Sequence, residues 1–302
     1  MAIASTLLYQ ILKMFILMGI GIILYRKKII DEYSTKGIAT ILLKLVTPVL
    51  IFNSFQVEKT DNLIKMILIT LVLSIIVFSV GILSSFIIKK DHHIERFGVV
   101  FANVSFMGIP LVQTTIGNDY IIFLAIYVIL FNIMIWTYGL YIMTNDISEI
   151  HFKKILTNPN VIALVIGLFF FLTDIDLPIM ITEVTDSITM LNTPLAMIVL
   201  GSYIGKEKIL DIFKAKKLYL VALVKLIIVP LISICILSFV DVDVKLKLVL
   251  FICSAAPTAT TAAMFAQIYE QDYGYTARLI SLSTILCLIT IPVLSALALN
   301  IW

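Results

Sequence analysis

Asn103-Val104-Ser105-Phe106-Met107-Gly108-Ile109-Pro110 stands in the middle of one long apolar segment, and Ser254-Ala255-Ala256-Pro257-Thr258-Ala259-Thr260-Thr261 in the middle of another, about half a chain further on. Both stretches carry helix-breaking residues where a membrane helix would lie deepest. Hydrocarbon offers no partner to a free N–H or C=O, so an interrupted helix at that depth must be buried in protein or line a cavity. Paired interruptions in the two halves of a chain point to the binding site of a transporter.

The surrounding composition supports membrane depth. Of the 302 residues, 61% are hydrophobic and 14% charged, against about 25% charged in a soluble globular chain. The apolar residues gather in stretches of about 20, the length that spans a bilayer as helix. Ten such segments are read, at 4–25, 35–55, 63–88, 96–117, 119–143, 159–173, 181–204, 216–239, 246–269 and 274–299, with Ile155 as an alternative start for the short sixth. Arg26-Lys27-Lys28 follows the first segment instead of preceding it, the reverse of a secretory signal. The expected fold class is all-α integral membrane, the whole chain forming one unit. The net charge of +3 says little about nucleic acid, because the basic residues fall in loops, and no nucleic-acid partner is expected.

Those loops orient the segments. One side collects Arg26, Lys27, Lys28, Lys36, Lys89, Lys90, Arg96, Lys153, Lys154, Lys206, Lys208, Lys214, Lys216, Lys217 and Arg278; the other holds Lys59, Lys65, Lys245 and Lys247. The richer side is read as cytoplasmic, which puts both termini outside a multi-pass protein of the cytoplasmic membrane. Asp174, Asp176, Glu183 and Asp186 gather on the outer side.

Thr47-Pro48 lies in segment 2 and Thr193-Pro194 in segment 7, 146 residues on; Pro110 and Pro257 are 147 apart. Near-equal offsets argue for duplication of a five-helix unit, one copy over 1–145 and the other over 151–302. Five is odd, so the second copy enters the membrane from the opposite face, and the repeats are inverted. Chance spacing is the alternative, since proline is frequent in membrane helices.

Proline ends or kinks a helix but is well tolerated at the first position of a new one. Pro110 and Pro257 are therefore read as starting the second half of each broken helix, with Gly108 supplying backbone freedom just before Pro110. A half-helix N-terminus offers unpaired N–H groups and about half a positive charge, which suits carboxylates and other anions. Asn103, Ser105 and Gln113 flank the first break; Ser254, Thr258, Thr260 and Thr261 flank the second. A single Ser or Thr there has the alternative of bonding its own helix backbone.

No Asp or Glu lies well inside any segment, and Lys13, Lys44 and Lys225 are the ionisable exceptions besides tyrosines. Lys44 and Lys225 are candidates for a coupling role. All three lie about 13 Å from a segment end at helical rise, so snorkelling to the interface is the other reading. Without a buried carboxylate a cation/proton antiporter is disfavoured and an anionic substrate favoured. Cys235, Cys253 and Cys287 have no metal or disulfide spacing, and are read as packing residues. His92, His93 and His151 fall in loops and are read as solvated; no phosphate-binding loop appears. Neither an enzyme nor a metal or cofactor is expected.

In Phe101-Ala102-Asn103-Val104-Ser105-Phe106-Met107-Gly108-Ile109-Pro110-Leu111, in Ala255-Ala256-Pro257-Thr258-Ala259 with Phe265-Ala266-Gln267-Ile268-Tyr269, and in the proline of segment 2, the chain resembles the auxin efflux carrier family in its short prokaryotic form. The resemblance runs over essentially the whole chain. It implies a five-plus-five inverted repeat with two broken crossover helices, of the class shared with bile-acid symporters. It also implies a scaffold of helices at about 4–55 and 159–204, a mobile transport domain at about 63–143 and 216–299, and a homodimer joined through the scaffold. Prokaryotic relatives are associated with small carboxylates such as malate or malonate. Asn103 matches the family's substrate-contacting asparagine; Ala255 or Ala256 stands at its second-half counterpart. The long hydrophilic loop of many plant members is replaced by the short 144–158 connection, so plant-style phosphoregulation is not implied.

The expected function is thus a carrier moving a small carboxylate by alternating access, its site at the crossing of segments 4 and 9, with Thr47, Pro48, Thr193 and Pro194 shaping the facing wall. A sodium-coupled organic-anion symporter is the alternative, and a ligand-binding membrane sensor a more distant one.

Overall fold

The computed structural model describes residues 2–57, 61–146, 156–173, 175 and 177–302. Lys59, His151, Lys153, Lys154, Ile155, Asp174 and Asp176, and with them most of the 144–158 connection, lie outside the described residues. The rest is helical, with one isolated antiparallel bridge and no strand among the described residues.

The chain runs α1 (Ala2–Arg26), α2 (Glu32–Ile41), α3 (Thr47–Ser54), α4 (Asp61–Ser85), α5 (His93–Val100), α6 (Ile109–Thr115), α7 (Ile121–Met134), α8 (Leu140–Thr144), α9 (Pro159–Thr173), α10 (Ile179–Met190), α11 (Asn192–Lys206), α12 (Ile209–Lys214), α13 (Lys216–Leu223), α14 (Val229–Ser238), α15 (Val244–Ala255), α16 (Thr261–Ile268) and α17 (Tyr273–Ile301). Aspartates open three of them. Asp31, Asp243 and Asp272 accept from the N–H of Ser34, Lys245 and Tyr275, satisfying donors that a helix start leaves free. The Ser34 hydroxyl and amide hold the Asp31 carboxyl below its ordinary range.

Seven helical stretches among the described residues are long and apolar enough to cross a membrane: Tyr9–Arg26, Glu32–Ser54, Asn62–Ser85, Asn118–Thr144, Ile179–Lys206, Lys216–Ser238 and Tyr273–Ile301. Each falls on a segment read from the sequence. α9 falls on the sixth and is shorter; the fourth and ninth are broken. Leu12, Ile16, Ile20 and Ile23 of α1, and Leu68, Leu71, Val72 and Ile75 of α4, form exposed apolar stripes. Water tolerates such stripes poorly; lipid solvates them.

Three of the long helices change pitch before a proline. π turns at Leu42–Val46, Val104–Gly108 and Val224–Ile228 lead directly into Thr47-Pro48, Ile109-Pro110 and Val229-Pro230. Proline lacks an N–H and its ring crowds the carbonyl one turn back. The wider turn absorbs both defects without ending the helix.

This moves the breaks from where the residue types put them. Pro110 does not start the second half of the fourth segment. That half opens at Val104, after Phe101 (φ −96°, ψ 113°) and Asn103 (φ −77°, ψ 61°) leave helical geometry. Gly108 is itself helical, at φ −62°, ψ −50°. Pro257 is not a first helical residue either: it lies within the break that Ala256 begins (φ −58°, ψ 144°), and α16 opens four residues later at Thr261. The seventh segment has a discontinuity at Leu191, just before Thr193-Pro194.

Candidate functional site

The two breaks meet. Ala102 and Thr258 form the antiparallel bridge. Asn103 N–H donates to the Pro257 carbonyl at 2.7 Å, and Ala259 N–H to the Phe101 carbonyl at 2.9 Å. Each break thus supplies partners for backbone groups that its own helix has abandoned, the requirement that burial in a low-dielectric interior imposes. Thr258 tightens the joint. Its hydroxyl donates to the Gly98 carbonyl at 3.0 Å and its N–H to Ser283 Oγ at 3.2 Å. Gly98 permits this approach: a Cβ there would lie 2.7 Å from Leu279 Cδ2 and 3.3 Å from the Thr258 side chain.

Packed aromatic rings surround the joint. Phe101 lies 4.5 Å from Phe97, 5.7 Å from Phe78 and 5.8 Å from Phe131, while Phe265 lies 5.6 Å from Phe97 and 5.3 Å from Trp136, centroid to centroid. Such rings hold the extended residues in place by packing.

A cavity of about 200 Å³ opens beside the joint, and Asn103, Ser105, Thr260 and Thr261 line it together with Lys44. The N–H groups of Ser105 and Phe106, and of Thr260 and Thr261, find no acceptor among the described residues. These four donors belong to the two helix starts that face the cavity. Asn103 is 3% exposed and its Nδ2 has no partner; the Thr261 hydroxyl has none either. A buried donor without an acceptor costs about 1–3 kcal/mol, so the arrangement is suited to an acceptor-rich guest.

The remaining candidates scatter around this centre. Pro257 and Thr258 form the joint without lining the cavity, and the Ser254 hydroxyl turns back to Phe251 O at 2.8 Å, the bond of an ordinary helical serine. Gly108 and Pro110 lie buried in the helix behind the opening. Thr47 and Pro48 are buried, Thr193 and Pro194 half-buried, and none of the four lines the cavity. Gln113 accepts from Asn192 Nδ2 at 3.4 Å and lines a separate cavity of about 270 Å³ with Asn53, Asp119 and Asp186. Lys225 is buried and does not snorkel; Lys44 and Lys13 are exposed. His92 and His93 are half-buried rather than solvated, bonded to Glu95 (3.1 Å) and the Ile142 carbonyl (2.8 Å).

Three asparagines that sequence reasoning passed over share the cavity wall. Asn158 Nδ2 donates to Asn132 Oδ1 at 3.0 Å, and Asn158 Oδ1 accepts from Asn160 N–H at 2.9 Å. An Asn inside the apolar α7 and the Asn-Pro-Asn start of α9 were the available signals.

A larger cavity, about 360 Å³, continues from Phe106, Thr260 and Thr261 toward Lys36, Lys206 and Tyr273. At that end Lys206 pairs with Glu32 at 2.9 Å and donates to the Tyr273 hydroxyl at 3.1 Å.

Apolar outer stripes, long lipid-compatible helices and a pair of broken helices joined beside a cavity define a multi-pass membrane transporter. The chain belongs to the membrane transport protein family, that of the auxin efflux carriers, which matches it over residues 6–146 and 143–295. A further likeness is to Protein ECM3 of Saccharomyces cerevisiae, 28% identical over 111 residues; the match covers 34% of this chain and 18% of that protein's length.

Proposed function

We propose that the chain is a secondary carrier for small organic anions, carboxylates foremost, working by alternating access around the joint of the two broken helices. Ten spans form a five-plus-five inverted repeat; spans 1, 2, 6 and 7 act as scaffold, also the homodimer contact, and spans 3–5 and 8–10 as the moving part. The observation that carries the reading is that Lys44, Asn103, Ser105, Phe106, Thr260 and Thr261 line one small cavity, with the last four keeping backbone N–H groups, and Asn103 its Nδ2, without an acceptor among the described residues. Donors without acceptors complement a carboxylate. The two family matches meet at residues 143–146, near the division between repeats proposed here, which supports the reading. Both termini lie outside the cytoplasmic membrane in this reading.

Thermal-shift measurements on purified protein against mono- and dicarboxylates test it, because a ligand of the folded state raises the Tm. Asn103→Ala and Pro257→Ala are expected to insert and abolish carboxylate uptake into liposomes. Normal uptake by both variants overturns the reading. Sodium coupling is the alternative, favoured by the unpartnered Thr47 and Asn192 oxygens on the scaffold side; replacing sodium by choline during uptake decides it.

A further inference from the structure

Lys225 sits in the π turn between α13 and α14 and does not line the cavity. It is 1% exposed, and among the described residues it pairs with no carboxylate. Its Nζ donates to the Ser254 carbonyl at 3.3 Å. That carbonyl is an orphan of the break. In an unbroken helix it would accept from Thr258 N–H, which instead goes to Ser283 Oγ. Ser254 stands in the last turn of α15, where unpaired carbonyls sum to about half a negative charge.

Lys225 Nζ is therefore set against the C-terminal end of one broken helix, while the helix starts with free N–H groups line the cavity. The first repeat has no equivalent: an offset of 146–147 sets Lys225 against Phe78 or Ser79. Its orphan carbonyls at Gly98 and Phe101 are satisfied by Thr258 and Ala259. Cys253 is the titratable side chain that interacts with Lys225. α4 carries Asp61 and Lys65 at its start, α5 His93, Glu95 and Arg96, α13 Lys216, Lys217 and Tyr219, and α17 Tyr273, Tyr275 and Arg278 near its start and the thiol Cys287 at its middle.

We propose that Lys225 is the resident cation of the joint, occupying the carbonyl end that a coupling sodium ion would otherwise occupy, so that transport needs no sodium. The inference rests on the anion-carrier reading above. A lone charge at membrane depth is costly, and a bound anion together with Lys225 brings the buried charge of the moving part toward zero. Lys225 is a positioning residue here, acting through the helix end and not by contact with the substrate.

The test uses the purified full-length protein. Its Tm is compared in sodium chloride and choline chloride, and its uptake of radiolabelled malonate, malate and indole-3-acetate is measured in both salts. Expected is a Tm and an uptake rate indifferent to the cation. Lys225→Met should keep or raise the Tm, since it removes a buried charge without an anionic partner, yet lower uptake by about tenfold or more, the equivalent of about 1.4 kcal/mol. A merely structural lysine would not separate stability from transport in this way. A sodium-specific rise in the wild-type Tm, sodium-dependent uptake, or wild-type rates in Lys225→Met overturns the proposal. Should the wild type carry none of the three acids, the substrate reading falls, and the two-salt Tm comparison still decides for or against Lys225.

Discussion

Hydroxyl groups around the joint have identical chemistry and different consequences. Thr258 bonds across to Gly98, whereas Ser254 bonds back to its own helix. Thr258→Val should therefore lower stability by about 1–3 kcal/mol, because the buried Gly98 carbonyl loses its threonine donor. Ser254→Ala should change the Tm little. Equal effects in chemical denaturation would contradict the bonding described here. The sequence marked both residues as belonging to the break but had no means of ranking them, since a hydroxyl's partner is set by what packs against it. Asn103, which lines the cavity, was legible as a candidate from its place before the break. Asn132, Asn158 and Asn160 were not, because their shared wall exists only once α7 and α9 are adjacent.

Among elements, the closest packing is between α1 and α11. A Cβ on Gly21 would run into the Ile198 carbonyl, and one on Gly201 into that of Met18. Lipid supplies no hydrophobic drive between helices, so backbone-to-backbone contact through small residues is how such pairs hold. Gly201→Val is expected to push the two helices apart and cost about 1–3 kcal/mol or more, measured as a fall in Tm and in monodisperse yield. Val at Gly37, where an added Cβ meets nothing within 4 Å, should be far milder. Gly201-Ser202-Tyr203-Ile204-Gly205 carries that small-residue spacing openly in the sequence. The positions of the helix breaks were less legible. Pro110 and Pro257 were read as opening the second half of each broken helix, yet a π turn absorbs Pro110 and Pro257 lies inside its break. The true interruptions fall where backbone groups find partners in another segment.

For the whole molecule, the cavity bordered by Lys36 and Lys206 reaches Thr260, whereas the one bordered by Asp119 and Asp186 shares no lining residue with the site. The cavity that reaches the site thus ends at the basic residues, the cytoplasmic face in the orientation proposed above. In a Cys235→Ser background, Thr260→Cys should react with a membrane-impermeant maleimide applied from the cytoplasmic face, and five- to tenfold more slowly, roughly, from the other face if diffusion to the site is what limits it. The opposite preference would invert the orientation. Glu32, Lys206 and Tyr273 bring the starts of α2 and α17 and the end of α11 together at that mouth, so scaffold and moving part touch there in the proposed division.

By itself the sequence determined that the chain is a bundle of membrane-length helices and which two of them are broken. Both conclusions follow from local facts: apolar run length against bilayer thickness, and residue types that cannot continue a helix. Only the tertiary structure decided which backbone groups pair across the breaks, which donors remain free to face a cavity, and that Lys225 turns inward to a carbonyl instead of outward to water. The pairing across the breaks brings together groups more than a hundred residues apart, and all three outcomes are set by packing in a medium where unpaired N–H and C=O groups look to the protein for partners.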